Sequence, residues 1–379
     1  MEARIRKALS SLFDENIAQE ARLDNLGGHA SLRIYWRIHL PQTDQGWPRD
    51  EYTRIAMVLP EDRLAQLKSD EGSSAGAPSS DELPFVDVHR YLSFLKLPVP
   101  QIDLVDMDLG ILILEDLGDE LFEHLYLDIK EDFNASPADM RIPTEQLYHR
   151  AINLMVDVQR SFKQDHYDEV TPPETIATKR SFDRELLRWE LEHYTEWGLQ
   201  AQYGEDVLGE HKATLDRIFD HLTEELLEIP QTLVLRDYQS RNIMHKAGKL
   251  YLIDFQDALI GPAIYDLVAL LRDSYIQLPY VTVHRLVDHY ARQGVAAGLS
   301  WCDDSAEVQR MFNLQTIQRK LKDAGRFVYI DRVKNNSSFL QYYKPSIAYV
   351  RQALEMLDDD IYMELSDILA EFEPAWHHE

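Results

Sequence analysis

The chain is poor in cysteine, in basic residues and in long apolar runs, and each shortage excludes a class of protein. Its 379 residues include one cysteine, Cys302, which excludes an intramolecular disulfide framework and favours a reducing compartment. With 39 basic and 66 acidic residues the formal net charge is −27, which argues against binding to nucleic acid or to an anionic membrane surface. No run approaches the ~20 apolar residues that span a bilayer, and the charged N-terminus has no signal-peptide core. We therefore expect a soluble, cytoplasmic protein.

Hydrophobic periodicity divides the chain into a β-rich first third and a helical remainder. Within residues 22–60 apolar and polar side chains alternate, as in strands with one buried face. Residues 69–82 are rich in Ser, Gly, Asp and Glu and are expected to form a mobile loop. The pattern predicts an α+β fold with a small β-rich N-lobe of residues 1–117 and a larger, mainly helical C-lobe of residues 118–379. In the C-lobe we expect helices near residues 144–164, 181–200, 205–227, 264–276, 282–298, 304–322 and 345–370.

Two short motifs carry the strongest functional signal. The first is Arg236-Asp237-x-x-x-x-Asn242, and the second is Asp254-Phe255; each follows a β-rich run. Phosphoryl transfer from ATP requires a carboxylate that receives the proton of the acceptor hydroxyl. It also requires a carboxamide and a second carboxylate that hold Mg²⁺ against the phosphate oxygens. Either motif is common by chance, but together at this separation they predict a kinase. Asp237 is the predicted base, and Asn242 and Asp254 are the predicted metal ligands.

The residues around these motifs narrow the prediction. The run from Ile253 to Asp273 reads IDFQDALIGPAIYDLVALLRD, and Val234-Leu235-Arg236-Asp237 precedes it. From about residue 20 to about residue 275 the chain resembles the aminoglycoside phosphotransferase and choline kinase superfamily. Within it, the 253–273 run is similar to the bacterial anomeric kinases of N-acetylmuramate and N-acetylglucosamine. The resemblance implies a two-lobed protein-kinase-like fold, ATP and Mg²⁺ as cofactors, and an amino sugar as the acceptor in peptidoglycan recycling. It also implies that Asp266 braces the catalytic loop.

Two upstream segments fall where the superfamily has its phosphate loop and its hinge. The residues expected to bind the nucleotide are Gly27, Gly28, Ser31, Arg33, Glu115 and Leu117. Small residues in the first segment let backbone N–H groups approach a triphosphate. The lysine that protein kinases carry on the next strand is absent from Ile55-Ala56-Met57-Val58-Leu59. The sugar kinases that the chain resembles lack it as well, so we interpret its absence as a family trait. Either an arginine within residues 33–54 replaces it, or triphosphate binding is weak.

Arg241 lies four residues after Asp237 and has two interpretations, which do not exclude each other. It is predicted as a catalytic residue that supplies positive charge near the migrating phosphoryl group. Alternatively, it forms a structural ion pair with Asp237.

A stripe on the predicted 181–200 helix is the candidate sugar site. Glu190, Tyr194 and Trp197 share one side of this helix by their spacing. A carboxylate between aromatic rings binds sugar hydroxyls while the rings cover the apolar face of the sugar. The alternative is an ordinary core stripe that contains a paired acid.

Two other functions remain open. One is a kinase of another small alcohol, such as choline, another hexose or an aminoglycoside, whose positive charge would suit the acidic surface. The other is a degenerate kinase that binds nucleotide without turnover, suggested by the absent strand lysine and by Leu235, where relatives often carry His. The intact set of Asp237, Asn242 and Asp254 argues against the second.

Overall fold

The computed structural model describes residues 1–27, 33–41, 52–59, 82–132, 137–163, 171–373 and 376. Gly28, Ser31 and the expected mobile loop, except for Glu82, lie outside these ranges. The chain forms two compact units. The first comprises Met1–Leu83, Pro98–Glu120 and Met244–Ile253, and the second comprises Pro84–Leu97, Leu121–Ile243 and Asp254–Glu379.

The first unit contains an antiparallel sheet covered by two short helices. Its elements are α1 (Glu2–Leu9), α2 (Glu15–Glu20), β1 (Arg22–Gly27), β2 (Ile34–His39), β3 (Thr53–Val58), β4 (Ile102–Asp106) and β5 (Ile111–Glu115). The strand order is β1-β2-β3-β5-β4. Trp36 lies opposite Ala56, which lies opposite Ile113, so alternate residues of three strands share one face. This face packs into one apolar core with Ile5 and Leu9 of α1.

The second unit is mainly helical. Its α-helices are α3 (Pro84–Phe94), α4 (Phe122–Asp132), α5 (Pro137–Phe162), α6 (Arg184–His193), α7 (Lys212–Glu228), α8 (Tyr265–Leu271), α9 (Tyr280–Ala296), α10 (Ser305–Lys334), α11 (Tyr343–Leu354) and α12 (Asp360–Phe372). Strands β6 (Gln231–Val234) and β9 (Leu259–Pro262) pair antiparallel. The predicted α+β class is therefore confirmed. None of the helices in the described ranges is long and apolar enough to cross a membrane.

The two units depart from the expected boundary at residues 117 and 118 in three segments. Residues 118–120 belong to the first unit. Helix α3 groups with the second unit, where Phe85 stacks on Phe255 with ring centroids 5.0 Å apart. The hairpin of β7 (Ile243–Lys246) and β8 (Lys249–Leu252) belongs, except for its first residue, to the first unit. There the Leu252 amide donates to the Pro98 carbonyl at 2.8 Å.

Several predicted helices differ from the structure. The helix expected near residues 304–322 continues to Lys334 as α10. The single helix expected over 345–370 is two helices, α11 and α12, separated by a short acidic segment. The helix expected over 181–200 changes after His193 from an α-helix to a π-helix, Tyr194–Gln200. The long helix α10 packs against this α-to-π junction, where a Cβ on Gly325 would lie 2.5 Å from the His193 carbonyl oxygen. Such a close approach between the two backbones leaves no room for a side chain.

Candidate active site

The segment Leu235–Asn242 follows β6 and holds two of the predicted site residues in direct contact. The carboxamide nitrogen of Asn242 donates to the Asp237 carbonyl at 2.9 Å. The Gln239 amide donates to the same carbonyl at 2.8 Å. These bonds fix the Asn242 side chain against the Asp237 backbone. Because the Asn242 nitrogen is engaged, its oxygen is the atom suited to a cation.

Two buried aspartates brace this loop. Asp266, at the start of α8, accepts hydrogen bonds from the amides of Leu235 at 2.6 Å and Arg236 at 3.0 Å. Burial raises the pKa of Asp266 to about 7, although the two amides act in the opposite direction. Arg236 has a φ of 70°, a conformation that a non-glycine residue keeps only where its surroundings hold it. Asp266 thus has the bracing position that the resemblance implied.

Asp273 holds the other end of the loop, and no sequence motif had singled it out. Its carboxylate accepts from the amide of Ser240 at 2.9 Å and from that of Tyr275 at 3.0 Å. Burial raises the pKa of Asp273 above its ordinary value. Buried carboxylates that accept two backbone hydrogen bonds are geometric restraints, so the loop is held at both ends.

The cation beside Asp237 is Arg319 of α10. Its Nη1 donates to the Arg236 carbonyl at 2.9 Å, and its Nη2 lies 3.5 Å from Asp237 Oδ1. The Arg319 side chain is 2% exposed, whereas that of Asp237 is 40% exposed. Burial would lower the pKa of Arg319, but Tyr265 and the nearby carboxylates raise it above its ordinary value, so Arg319 stays charged.

Sequence reasoning missed Arg319 because it lies far along the chain from the motif. One signal was present: polar residues interrupt every face of the α10 sequence. Their side chains are buried in the structure, and they are Asn313, Gln315, Gln318, Arg319, Lys320 and Asp323. A helix that buries so many polar groups needs specific partners for them.

Asp254 follows β8 in a left-handed conformation with a φ of 57°. The Gln256 carboxamide donates to its Oδ1 at 2.9 Å, and the next side chain, Phe255, is buried against Phe85. These contacts orient the Asp254 carboxylate within the second unit, which also contains Asp237 and Asn242.

The donor set of Asn242 and Asp254 fits Mg²⁺. Both supply oxygen ligands, and Mg²⁺ is usually bound by one or two carboxylates together with substrate phosphates. In the described part of the chain there is no group of three or more His, Cys, Asp or Glu side chains that could hold a metal ion. Two oxygen ligands of this kind suit a site that a metal ion shares with substrate phosphates.

Arg241 has partners other than Asp237. Its Nε and Nη2 donate to the two Glu123 carboxylate oxygens at 2.7 and 3.0 Å, and its guanidinium lies 3.7 Å from the Tyr275 ring centroid. The structural alternative, an ion pair with Asp237, is therefore wrong because Arg319 occupies that place. The catalytic role of Arg241 stays a prediction, and Glu123 balances its charge.

The expected nucleotide residues that the structure describes lie in the first unit. Gly27 has a φ of 82°, and its amide donates to Asn25 Oδ1 at 2.7 Å. The Arg33 side chain is buried, as is that of Leu117. Lys246 donates to Glu115 Oε1 at 2.8 Å and to the Asp116 carbonyl at 2.9 Å. Their nucleotide-binding roles stay predictions.

Two of the arginines within residues 33–54, where a replacement for the strand lysine was expected, form ion pairs. Arg37 donates to Asp116 at 2.7 Å and to Asp119 at 2.8 Å, and Arg54 donates to Asp103 at 2.5 Å. The replacement therefore stays a prediction. Arg37 joins β2 to the segment that follows β5, and Arg54 joins β3 to β4.

The three residues of the predicted sugar stripe do not share one environment in the structure. Glu190 is 1% exposed and accepts from Arg236 at 3.2 Å and from Gln318 at 2.8 Å. Tyr194 is fully buried, and its hydroxyl donates to Glu373 at 2.5 Å. Glu190 and Tyr194 are therefore core residues with buried partners, as the alternative interpretation had it. Their assignment as substrate-binding residues is corrected. Trp197 is partly exposed, and its role stays a prediction.

The comparisons with known proteins agree with these features. A family model described as "phosphotransferase enzyme family" matches residues 73–303. The N-acetylmuramate/N-acetylglucosamine kinase of Pseudomonas putida is 30% identical over 79% of this chain and 80% of its own length. The enzyme of the same name from Neisseria meningitidis is 32% identical over 64% of this chain and 66% of its own length.

Solved structures support the fold. A choline kinase from Cryptosporidium parvum superposes with a TM-score of 0.59 at 11% identity, covering 97% of this chain and 98% of the other. An ADP-bound aminoglycoside phosphotransferase superposes with a TM-score of 0.53 at 13% identity, covering 96% and 98%. At these identities the likeness shows the fold alone.

Proposed function

Because the chain belongs to the phosphotransferase enzyme family, as its motifs had predicted, we propose that it phosphorylates an amino sugar with ATP and Mg²⁺. The acceptor is N-acetylmuramate or N-acetylglucosamine, and the reacting group is the anomeric hydroxyl. The observation that carries the proposal is the braced loop that joins Asp237 to Asn242 and sets Arg319 beside the Asp237 carboxylate.

Asp237 acts as the base. Its carboxylate is partly exposed and therefore accessible to an acceptor hydroxyl, whose proton it receives as the new oxygen–phosphorus bond forms. The buried Arg319 lies 3.5 Å from one oxygen of this carboxylate, and its positive charge favours the ionised form that acts as a base. The bracing by Asp266 and Asp273 keeps this geometry fixed before the acceptor arrives, which lowers the reorganisation needed in the transition state.

Asn242 and Asp254 would hold Mg²⁺ through the Asn242 carbonyl oxygen and the Asp254 carboxylate. When bound, the ion neutralises charge on the phosphate oxygens. The chain's own contribution is orientation. The Asp237 carbonyl fixes the Asn242 amide, and Gln256 fixes one oxygen of Asp254.

The choice of sugar rests on the relatives that are about one-third identical to this chain. Both sugars are building units of peptidoglycan, so the reaction belongs to the reuse of cell-wall fragments. Its dependence on ATP would place it in the cytoplasm.

The proposal is tested by offering the purified protein a panel of acceptors with ATP and Mg²⁺ and measuring ADP release. The panel contains N-acetylmuramate, N-acetylglucosamine, glucose, choline and an aminoglycoside. Phosphorylation of the anomeric hydroxyl blocks the reducing end, so the reducing-sugar signal should fall in step with ADP formation. ADP release with an unchanged reducing signal would place the phosphate on another hydroxyl. Turnover of choline or the aminoglycoside alone would refute the amino-sugar assignment.

A further inference from the structure

Three cations of α10 lie on one side of the helix. Arg319, Lys322 and Arg326 are spaced i, i+3 and i+7, which places them in one row along a helix. The row, here called the cationic stripe, spans about 10 Å at the helical rise of ~1.5 Å per residue. In a chain of net charge −27, a row of three cations is a local reversal of the overall charge.

The cationic stripe begins at the catalytic carboxylate and ends at a group of aromatic rings. Arg319 lies 3.5 Å from Asp237, whereas the exposed Arg326 lies 4.9 Å from the centroid of the Tyr329 ring. The Tyr329 centroid is in turn 5.0 Å from that of Trp197. Both rings are partly exposed. A ligand at Asp237 therefore meets a row of cations along one side of α10, and partly exposed aromatic rings lie beyond the far end of this row.

His193 adds a polar group that lacks a partner. Its ring lies 5.5 Å from Tyr329 and 6.3 Å from Trp197, and its side chain is 6% exposed. Its Nε2 is buried and makes no hydrogen bond among the described residues. Burial, together with Arg326 and Lys322, lowers the pKa of His193 to about 4, so the ring is neutral near pH 7. Buried polar atoms normally have partners, so this nitrogen leaves one hydrogen-bonding position that a ligand or a water can fill.

We propose that the cationic stripe is an anion subsite, in which Lys322 and Arg326 bind the carboxylate of an acidic amino sugar phosphorylated at Asp237. The inference rests on the proposed function and defines its substrate class. N-acetylmuramate is N-acetylglucosamine with a lactyl ether, and the lactyl group carries a carboxylate that N-acetylglucosamine lacks. The Trp197 and Tyr329 rings, with His193 beside them, bound the subsite at its far end.

Charge and geometry both favour an acidic acceptor. A guanidinium or ammonium forms charge-assisted hydrogen bonds with a carboxylate, and these are stronger than bonds between neutral groups. Lys322 is also paired with Asp323 at 3.0 Å, which holds its ammonium in place, whereas Arg326 is exposed. The same cations repel choline and aminoglycosides. The aromatic rings, which alone would suit a quaternary ammonium, therefore do not make a choline site.

The test compares the two sugars in single variants of the full chain. Lys322→Gln and Arg326→Gln should each lower kcat/KM for N-acetylmuramate on the order of 10- to 100-fold, mostly through KM, because each removes one charge-assisted contact. For N-acetylglucosamine kcat/KM should be unchanged. Arg332→Gln is the matched control, since Arg332 is an exposed cation on the same helix outside the stripe, and it should change neither value.

The possible outcomes separate this inference from the proposed function. An equal loss for both sugars would mean that the stripe is structural and would overturn the inference while the kinase assignment stands. Wild-type protein that phosphorylates N-acetylglucosamine but not N-acetylmuramate would also overturn the inference alone. Wild-type protein that uses neither sugar would overturn both. Because Lys322 is partly buried, thermal melting is measured on each variant, and the exposed Arg326 provides the decisive variant if Lys322→Gln does not fold.

Discussion

Replacing Asp237 with asparagine is the most direct test of the catalytic assignment. The change removes one negative charge and the proton acceptor while keeping the size of the side chain. The backbone carbonyl of Asp237, which holds Asn242 and Gln239, is unaffected. We therefore expect the loop to keep its conformation and the chemistry to fail.

The substitution should have a large effect on kcat and a small effect on the free energy of unfolding. Loss of a general base lowers kcat by ~10²–10⁴, which corresponds to about 3–5 kcal/mol of transition-state stabilisation. The free energy of unfolding should change by only ~1 kcal/mol or less, because the Asp237 side chain is 40% exposed and the pair with Arg319 is long, at 3.5 Å. Arg319 keeps its hydrogen bond to the Arg236 carbonyl.

The measurements are kcat from ADP formation at saturating sugar, the Kd of Mg²⁺–ATP by calorimetry, and the free energy of unfolding by urea denaturation. Asp216→Asn is the matched control, because Asp216 is 46% exposed and paired with Arg188 at 3.2 Å on an unrelated helix. Near-wild-type kcat in a folded Asp237→Asn variant would refute the role of Asp237 as base. A loss of several kcal/mol in stability would instead show that the residue is structural.

Three further predictions follow from the contacts described above. Asp254→Ala should weaken ATP binding with Mg²⁺ much more than binding without it, as measured by calorimetry, and an equal loss in both conditions would contradict its role as a metal ligand. Asp266 has its pKa raised from an ordinary 3.8 to about 7, so the stability that it contributes is fully present below pH ~4 and is lost as the pH rises through 7. The free energy of unfolding of the wild type, relative to that of Asp266→Asn, should therefore fall as the pH rises over this range. The fall should be at most about 4 kcal/mol, at ~1.4 kcal/mol per pKa unit. Unfolding free energies from urea denaturation that run parallel with pH in the two proteins would refute this. Gly325→Ala should lower stability by ~1–3 kcal/mol, because the new Cβ would lie 2.5 Å from the His193 carbonyl oxygen, and an unchanged melting temperature would show that the helices can separate freely.

Features that depend on residues close in sequence could be predicted. Asp237 and Asn242 lie five residues apart, and the hydrogen bond that joins them closes within one loop. The alternating pattern of residues 22–60 likewise predicted strands with one buried face, and Trp36 and Ile38 are buried in the core of the sheet, since the side-chain period of a strand is local. The spacing of the motifs was also sufficient to identify the family.

The ends of the helices in the C-terminal part were harder to predict from the sequence. The pattern over 345–370 continues through the break between α11 and α12, because both helices bury apolar residues at compatible spacing. The change from α- to π-helix at Tyr194 shifts the residues that follow around the helix axis. Trp197 is therefore partly exposed although Glu190 and Tyr194, from the same predicted stripe, are buried.

The sequence by itself determined the family and the fold class, and it predicted the base and the metal ligands, because each of these depends on short runs whose geometry is local. Only the tertiary structure decided which cation serves Asp237. Arg241, the nearest candidate in sequence, is bound by Glu123, and Arg319 reaches the site from α10. An ion pair depends on which side chains are close in space. In this protein α10 packs against the Leu235–Asn242 loop and thereby brings Arg319 next to Asp237.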